Sequence, residues 1–401
     1  MRIVIANDGF GDVGGVQSYL DAIVPGLASR GHDISMLYLD EALSRGSSPI
    51  VEGLIRFSIS RDGATKTIDA LREWRPAVCF SHNMRDLDVD HWLLSVAPVI
   101  KFMHGYFGTC ISGQKMFGLP VARPCSRTFG PPCLAIYFPR RCGQLNATTM
   151  VRDYRWATDQ RDLFNRYCAI LVASEHMRRE YIRNGADEQR VHVTPLFSHR
   201  QEASDGPVNG RARSVVFIGR MTTLKGGDQL VRAIADASSR LASPIDLVMV
   251  GDGPQRAAWE RLASRLRVRA TFVGWKAGEE RWEWLRGAGL LAVPSVWPEP
   301  FGLVGLEAAA LGVPAIAFDV GGICEWLTHG ENGHLVPANP PRASALADGL
   351  VTLFQHPEDL CAMRVKAAEA ARRMSLDRHL ERLEAILFEH AEKEPADSAR
   401  R

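Results

Sequence analysis

Short apolar runs recur along this chain, and each is followed by a stretch long enough for a helix. The first series is Ile3-Val4-Ile5, Ile34-Ser35-Met36-Leu37, Ala77-Val78-Cys79-Phe80, Val99-Ile100-Lys101-Phe102-Met103 and Ala169-Ile170-Leu171-Val172-Ala173. Continuous apolar runs of this length suit strands buried on both faces, and strand–helix alternation makes successive strands parallel. The expected fold is therefore α/β and doubly wound. A second series opens at Ser214-Val215-Val216-Phe217-Ile218 and runs through Leu247-Val248-Met249-Val250, Leu290-Leu291-Ala292-Val293 and Ala315-Ile316-Ala317-Phe318. Between the two, residues 198–212 are polar and turn-rich, which marks a linker. Two domains result, 1–197 and 213–375, as a chain of 401 residues would suggest. Leu380, Leu383, Ile386 and Leu387 share one stripe, giving a helix over 376–390 ahead of a frayed tail at 391–401.

Composition narrows the class. Hydrophobic content of 46% and charged content of 23% describe a soluble globular protein. A net charge of +2 argues against nucleic acid as a partner. Residues 101–166 are uneven, with ten Lys/Arg against three Asp/Glu. That surplus suits anionic lipid headgroups or a phosphorylated acceptor, or equally a solvated surface that helps hold a nucleotide diphosphate. The chain opens on a strand without an apolar leader, and it has no run of 18 apolar residues. With eight cysteines at this length, a cytoplasmic, reducing compartment is expected, with peripheral contact at the inner membrane face as an option. Cys79 and Cys168 lie in strand-like runs and read as core. Cys110, Cys125, Cys133 and Cys142 crowd into a Gly-, Pro- and Arg-rich stretch, where they could clamp a structural zinc or remain free or buried thiols.

The chemistry concentrates in Pro298-Glu299-Pro300-Phe301-Gly302-Leu303-Val304-Gly305-Leu306-Glu307. The prolines hold Glu299 on a stiff, non-helical segment. From Gly302 the pattern turns helical, with Leu303, Leu306 and Ala310 on one face and Gly312-Val313-Pro314 as the stop. Glu307 then projects from an apolar helix, where a carboxylate needs a partner. The helix N-terminus offers free backbone N–H groups to an anion. Alone, the two carboxylates could equally be a loop Glu and a surface helix Glu.

Further motifs follow in order: Gly14-Gly15-Val16-Gln17, Phe102-Met103-His104-Gly105, Phe217-Ile218-Gly219-Arg220 with Lys225-Gly226-Gly227, and Val250-Gly251-Asp252-Gly253-Pro254. Phe272-Val273-Gly274-Trp275, Gly321-Gly322-Ile323-Cys324-Glu325 and Gly330-Glu331-Asn332-Gly333 complete the set. Together with Glu299 and Glu307, spaced as E-x7-E, this set resembles the retaining glycosyltransferases of family four. The match is dense from about residue 213 to 340 and fades over 108–160. The resemblance implies the GT-B fold, two Rossmann-like domains facing a cleft, with the C-terminal helix crossing back to the first. It implies a nucleotide-sugar donor (UDP or GDP), a glycan or lipid-linked acceptor in envelope or exopolysaccharide synthesis, and no cofactor.

Arg220 and Lys225, on a glycine-containing loop, can neutralise a diphosphate and the charge on a leaving nucleoside diphosphate. Gly14 and Gly15 would let backbone approach that phosphate, while Asp12 and Gln17 read as turn and capping residues. By resemblance, Glu307 accepts from ribose hydroxyls, Glu299 contacts the donor sugar, and Phe301, Gly302 and Leu303 supply backbone N–H groups. Gly274 would meet the base through its backbone. His104, at a strand's carboxyl end, would sit beside the bond being broken, and His82 has the weaker claim. Glu325 is expected to support its loop. Asp86-Leu87-Asp88-Val89-Asp90 contains D-x-D, a metal motif elsewhere, but it precedes the helical run Trp92-Leu93-Leu94 and reads as a helix start. No metal site is assigned. Gly251-Asp252-Gly253-Pro254 fails G-x-G-x-x-G because the sixth position is Arg256, which argues against a dehydrogenase. A nucleotide-sugar epimerase on the same fold and a non-catalytic nucleotide-sugar binder are the alternatives.

Overall fold

A computed structural model describes residues 1–9, 15–39, 53–198, 213–276 and 278–391. Gly14, Asp12, most of the expected linker (199–212) and the tail from residue 392 lie outside the described residues.

The first half builds strands β1 (Arg2–Asn7), β2 (Asp33–Tyr38), β3 (Ile55–Ser58), β4 (Val78–Ser81) and β5 (Val99–Met103). A small hairpin follows, β6 (Met116–Phe117) with β7 (Arg123–Pro124), and then β8 (Ala169–Val172) and β9 (Val191–Val193). Seven of these pair in parallel in the order β3-β2-β1-β4-β5-β8-β9. The second half supplies β10 (Ser214–Ile218), β11 (Asp246–Val250), β12 (Ala270–Gly274), β13 (Leu290–Val293), β14 (Ala315–Phe318) and β15 (Gly333–Val336). They form a second all-parallel sheet, β12-β11-β10-β13-β14-β15. Every residue of β4, β5, β8, β13 and β14 is buried, which is why those strands read as unbroken apolar runs. The strand order reverses between β1 and β4 and between β10 and β13. Ligands of open α/β sheets bind at the carboxyl ends beside such reversals.

The helix Leu376–His390 begins at Ser375, whose hydroxyl accepts the Arg378 N–H. Its Leu380, Leu383, Ile386 and Leu387 join Tyr19, Leu20, Ile23 and Val24 of the helix Gly15–Ser29 in one buried cluster over β1 and β2. His379 sits beneath, with Nε2 2.8 Å from the Tyr19 hydroxyl and Nδ1 2.8 Å from the Pro195 carbonyl. Arg30 and His32 both reach Glu384, at 2.7 and 2.8 Å. The two halves also touch near the cleft. The backbone N–H of Glu175, at the start of the helix Glu175–Arg183, donates to Glu325 Oε1 at 2.6 Å. Gly322 packs so close to Ser174 that a Cβ there would lie 2.6 Å from the serine Cβ. Glu325 thus ties one half to the other, beyond the loop-supporting part expected of it.

Between β5 and β8 a lobe carries the hairpin, the helices Pro132–Ile136 and Ala147–Asp162, and a small core of Ile111, Phe129, Tyr137 and Ala157. The four clustered cysteines are free thiols here. Cys110 Sγ lies 3.6 Å from the Ser112 hydroxyl, while Cys133 and Cys142 face the carbonyls of Thr128 and Ile136. Burial, then the neighbouring thiols, push the Cys142 pKa up to about 12. Among the described residues no group of three His, Cys, Asp or Glu is arranged to hold a metal. No helix among them is long and apolar enough to cross a membrane.

Candidate active site

The segment Ser295–Leu303 leaves β13 and enters the helix Leu303–Ala310 through Gly302, whose φ of +84° closes the turn. Glu299 is buried on that segment. Its Oε1 accepts from Lys225 Nζ at 2.6 Å, from the Trp297 indole N–H at 2.9 Å and from the Ser295 hydroxyl. Lys225 Nζ also stands 5.7 Å from the centre of the Trp297 ring. Three donors converge on one oxygen, which fixes the carboxylate.

Glu307, one helical turn past the N-terminus, is buried as well. Arg281, from the helix Gly278–Arg286, donates to its Oε1 at 2.5 Å. Burial raises the Glu307 pKa, and the Arg281 charge and hydrogen bond pull it back. The helix start is packed against Trp326. Its indole N–H donates to the Phe301 carbonyl at 2.8 Å, and a Cβ on Gly305 would meet its ring at 1.9 Å. Phe301, Gly302 and Leu303 are thereby held at a rigid, anion-ready N-terminus.

Lys225 closes a single turn, Thr223–Lys225, and Gly226 begins the next helix in left-handed backbone. Arg220 lies exposed just past the end of β10. Gly274 ends β12 at φ +76°, its carbonyl accepting the Gly251 N–H at 2.8 Å. Gly15 opens its helix in the first half and is exposed.

Across the cleft, His82 and His104 follow the adjacent strands β4 and β5. His82 Nδ1 and His104 Nε2 are 3.0 Å apart, and the His104 ring stacks on Phe102 with centroids 4.5 Å apart. Burial holds both imidazoles neutral, lowering the His104 pKa to about 3, with the Lys101 charge adding to the effect. His82 Nε2 is fully buried with no partner among the described residues. A buried orphan N–H is the rarer kind of orphan, so the network assigns the His82 proton to Nδ1, donating to His104. Neutral His104 then carries its own proton on Nδ1. Two residues on, Tyr106 meets Trp297 edge-on at 6.4 Å, linking the His104 strand to the Glu299 segment. A cavity of about 490 Å³ adjoins the pair, walled by His82, Phe107, Ile111, Arg152 and Trp156.

Two of the three D-x-D carboxylates are otherwise engaged. Asp86 caps its own helix by accepting the Asp88 N–H, and buried Asp90 accepts from Lys101, Ser81 and Tyr167 at 2.7–2.9 Å. Sequence reading missed the structural roles of Ser295, Trp297, Arg281 and Tyr106. Ser295 and Trp297 were within view, four and two residues before Glu299, but no local pattern marks Arg281.

Two family models match. That of the Glycosyltransferase Family 4 covers residues 13–197, and that of the Glycosyl transferases group 1 covers residues 199–374. The chain is 34% identical over 220 residues to a D-inositol 3-phosphate glycosyltransferase of Rhodococcus opacus, covering 50% of this chain and 48% of that one. It is 37% identical over 131 residues to an uncharacterized glycosyltransferase of Methanocaldococcus jannaschii, covering 32% and 33% of the two chains. The aligned part spans about half the length, or less, of these relatives. Among solved structures, Alr3699/HepE of Anabaena in complex with UDP superposes with a TM-score of 0.71 at 17% identity, over 97% of this chain and all of that one. Sucrose-phosphate synthase of Thermosynechococcus elongatus gives 0.67 at 19% identity, over 97% and 98%. The architecture is therefore GT-B.

Proposed function

The chain belongs to glycosyltransferase family four, and on that premise we propose that it transfers a sugar from a nucleoside-diphosphate donor to a hydroxyl acceptor with retention of configuration. The observation that carries this reading is the Glu299 cluster. A carboxylate is pinned on one oxygen by Lys225, Ser295 and Trp297, directly before a helix N-terminus that holds Glu307 one turn further in. Arg220, Lys225 and the N–H groups at Gly302–Leu303 take the diphosphate, and Glu299 Oε2 takes a sugar hydroxyl. Glu307 takes the ribose, while Gly274 faces the base and Gly15 approaches the phosphate from the other domain. The UDP-bound state of the Anabaena neighbour supports a nucleotide in this cleft.

In the step itself the bond from the anomeric carbon to the diphosphate oxygen breaks, and the electron pair leaves with the nucleoside diphosphate. Arg220, Lys225 and the helix N-terminus stabilise that charge as it grows. The acceptor hydroxyl attacks the same face, and its proton passes to the departing phosphate oxygen. His104 Nδ1–H points a donor at the sugar beside the breaking bond. These counter-charges do what a divalent ion does in other transferases, so transfer is proposed to be metal-independent. The acceptor is a glycan or lipid-linked hydroxyl of envelope or exopolysaccharide synthesis, entering by the His82–Trp156 cavity.

The test is turnover of UDP- and GDP-sugars with excess chelator, followed by NMR of the product's anomeric carbon. A retained linkage with release of free nucleoside diphosphate is expected. A changed sugar on intact nucleotide would point to an epimerase, and binding without turnover to a non-catalytic protein. Activity lost to chelator and restored by Mg²⁺ or Mn²⁺ would remove the metal-independent part.

A further inference from the structure

From His91 to Arg152 the chain contains no Asp or Glu, yet residues 105–152 carry six Lys or Arg. Lys115 is consumed inside the lobe by buried Glu180, at 2.9 Å, and Arg152 is paired with Asp153 at 3.0 Å. Arg123, Arg127, Arg140 and Arg141 have no acidic partner among the described residues.

Among the described residues, five of nine exposed large apolar side chains also fall between residues 119 and 151: Leu119, Val121, Phe138, Leu145 and Val151. Three of them share one tip. The backbone N–H groups of Gly118 and Leu119 both donate to the Arg140 carbonyl, which joins the β6–β7 hairpin to the segment after Phe138. The Arg123 and Arg140 guanidiniums stand 5.6 and 5.5 Å from the centre of the Phe117 ring, so both cations gather on that ring. Leu119, Val121 and Phe138 therefore project from a tip rimmed by Arg123, Arg140 and Arg141. Isolated apolar residues on a surface are ordinary, but an apolar tip ringed by cations that make no ion pair among the described residues is matched to one kind of surface. Apolar side chains enter the headgroup boundary while guanidiniums stay at the phosphates.

We propose that this tip docks the protein on an anionic phospholipid bilayer. The same lobe supplies Ile111, Ser112 and Gly113 to the wall of the 490 Å³ cavity, so docking would hold a lobe that walls the cavity at the membrane. The inference rests on the transferase reading only for why such a placement is useful, since it would hand a lipid-linked hydroxyl to the cleft.

The test is co-sedimentation of the full chain with vesicles of phosphatidylglycerol mixed with phosphatidylcholine, against phosphatidylcholine alone, with UDP affinity measured without vesicles as a separate readout. Binding to the anionic vesicles, weakened by salt, is expected. Replacing Arg123, Arg140 and Arg141 by Gln should lower it about a hundredfold, at the strength typical of a surface cation on an anionic leaflet. The pair Leu119→Ser with Phe138→Ser should lower it as well, at unchanged UDP affinity and melting temperature. Vesicle binding that ignores either set of substitutions overturns the proposal. So does capture by a soluble polyanion that depends on the arginines and not on the apolar pair. Vesicle binding by a chain that binds neither UDP nor GDP would leave the docking surface standing and remove the transferase reading instead.

Discussion

Arg281 donates to Glu307 Oε1 at 2.5 Å, and it does so from a helix that begins twenty-nine residues before Glu307. A buried carboxylate at this position would otherwise sit among Leu306, Ala308 and Ala309 with its charge uncompensated. Arg281 offsets part of that burial cost for the ionised form of Glu307. Glu307→Gln is expected to weaken nucleotide-sugar binding about tenfold or more, the loss of a charge-assisted hydrogen bond of ~1.5–3 kcal/mol. Arg281→Gln should weaken it less while lowering the melting temperature more. Calorimetric titration checks both; a folded Glu307→Gln protein with unchanged affinity would remove the ribose assignment.

Arg220 and Lys225 are expected to matter more to turnover than to binding. Negative charge grows on the leaving group only as the bond breaks. Replacing either with Met should lower kcat by more than it raises the donor Kd. Lys225→Met also strips one of three donors from Glu299. Melting temperatures of the single and double Lys225 and Glu299 variants should therefore show coupling of about 1–3 kcal/mol. Additive losses would mean that the 2.6 Å contact does not hold the carboxylate.

Much of this arrangement was legible in the chain, and the rest was not for identifiable reasons. The buried central strands declare themselves because both faces are covered. The edge strand Ile55–Ser58 exposes Ile55 and Arg56, so its sequence lacks the continuous apolar signature and was not read. Glu299 and Glu307 stood out because proline and glycine punctuate the loop between them. The pairing of Lys225 with Glu299 and the part of Arg281 did not, because these cations reach the carboxylates from the turn after the neighbouring strand β10 and from the helix Gly278–Arg286. The His82–His104 contact comes from the register of two neighbouring strands, with Ser81 paired to Lys101 and each histidine one residue past its own strand's end. Such a coincidence exists only once the strand order is known.

The histidine pair makes its own prediction. An asparagine at position 82 can place an amide N–H where imidazole Nδ1–H stood, whereas leucine cannot. His82→Asn should retain most turnover and His82→Leu should lose about tenfold or more, with donor affinity little changed in both. Nitrogen NMR of His104 should show the Nδ1–H tautomer in the wild type and a mixture in His82→Leu. A uniform tautomer in both would end the positioning role.

Acid should destabilise the fold earlier than carboxylate protonation alone would. His82, His104 and His379 are all held neutral by burial, with pKa values lowered, to about 3 for His104 and about 4 for His379. A histidine whose folded pKa lies below its unfolded one contributes stability that is complete above about pH 6.5 and is lost as pH falls toward the folded value. Each group should steepen the fall by up to about 1.4 kcal/mol per pH unit below 6.5. Melting temperature measured from pH 7 to 4 should drop, and His379→Gln should flatten the curve even if it lowers the plateau. A flat profile down to pH 4 would show that these rings are not buried neutral.

The helix Leu376–His390 has a consequence for how the chain is made. Its four apolar residues close the cluster over β1 and β2, and Leu380 packs so tightly on Gly26 that a Cβ there would stand 2.6 Å away. The ribosome delivers Gly26 first and Leu380 some three hundred and fifty residues later. Throughout that interval the leading half is a bowl without its lid, its Tyr19–Val24 face open to water and to other nascent chains. The usual vectorial order, in which the part synthesised first folds first, is inverted here. The first half reaches its final packing only when the last helix clears the exit tunnel, so chains stalled before residue 376 should be cleaved within residues 1–197 by a protease that spares the finished protein.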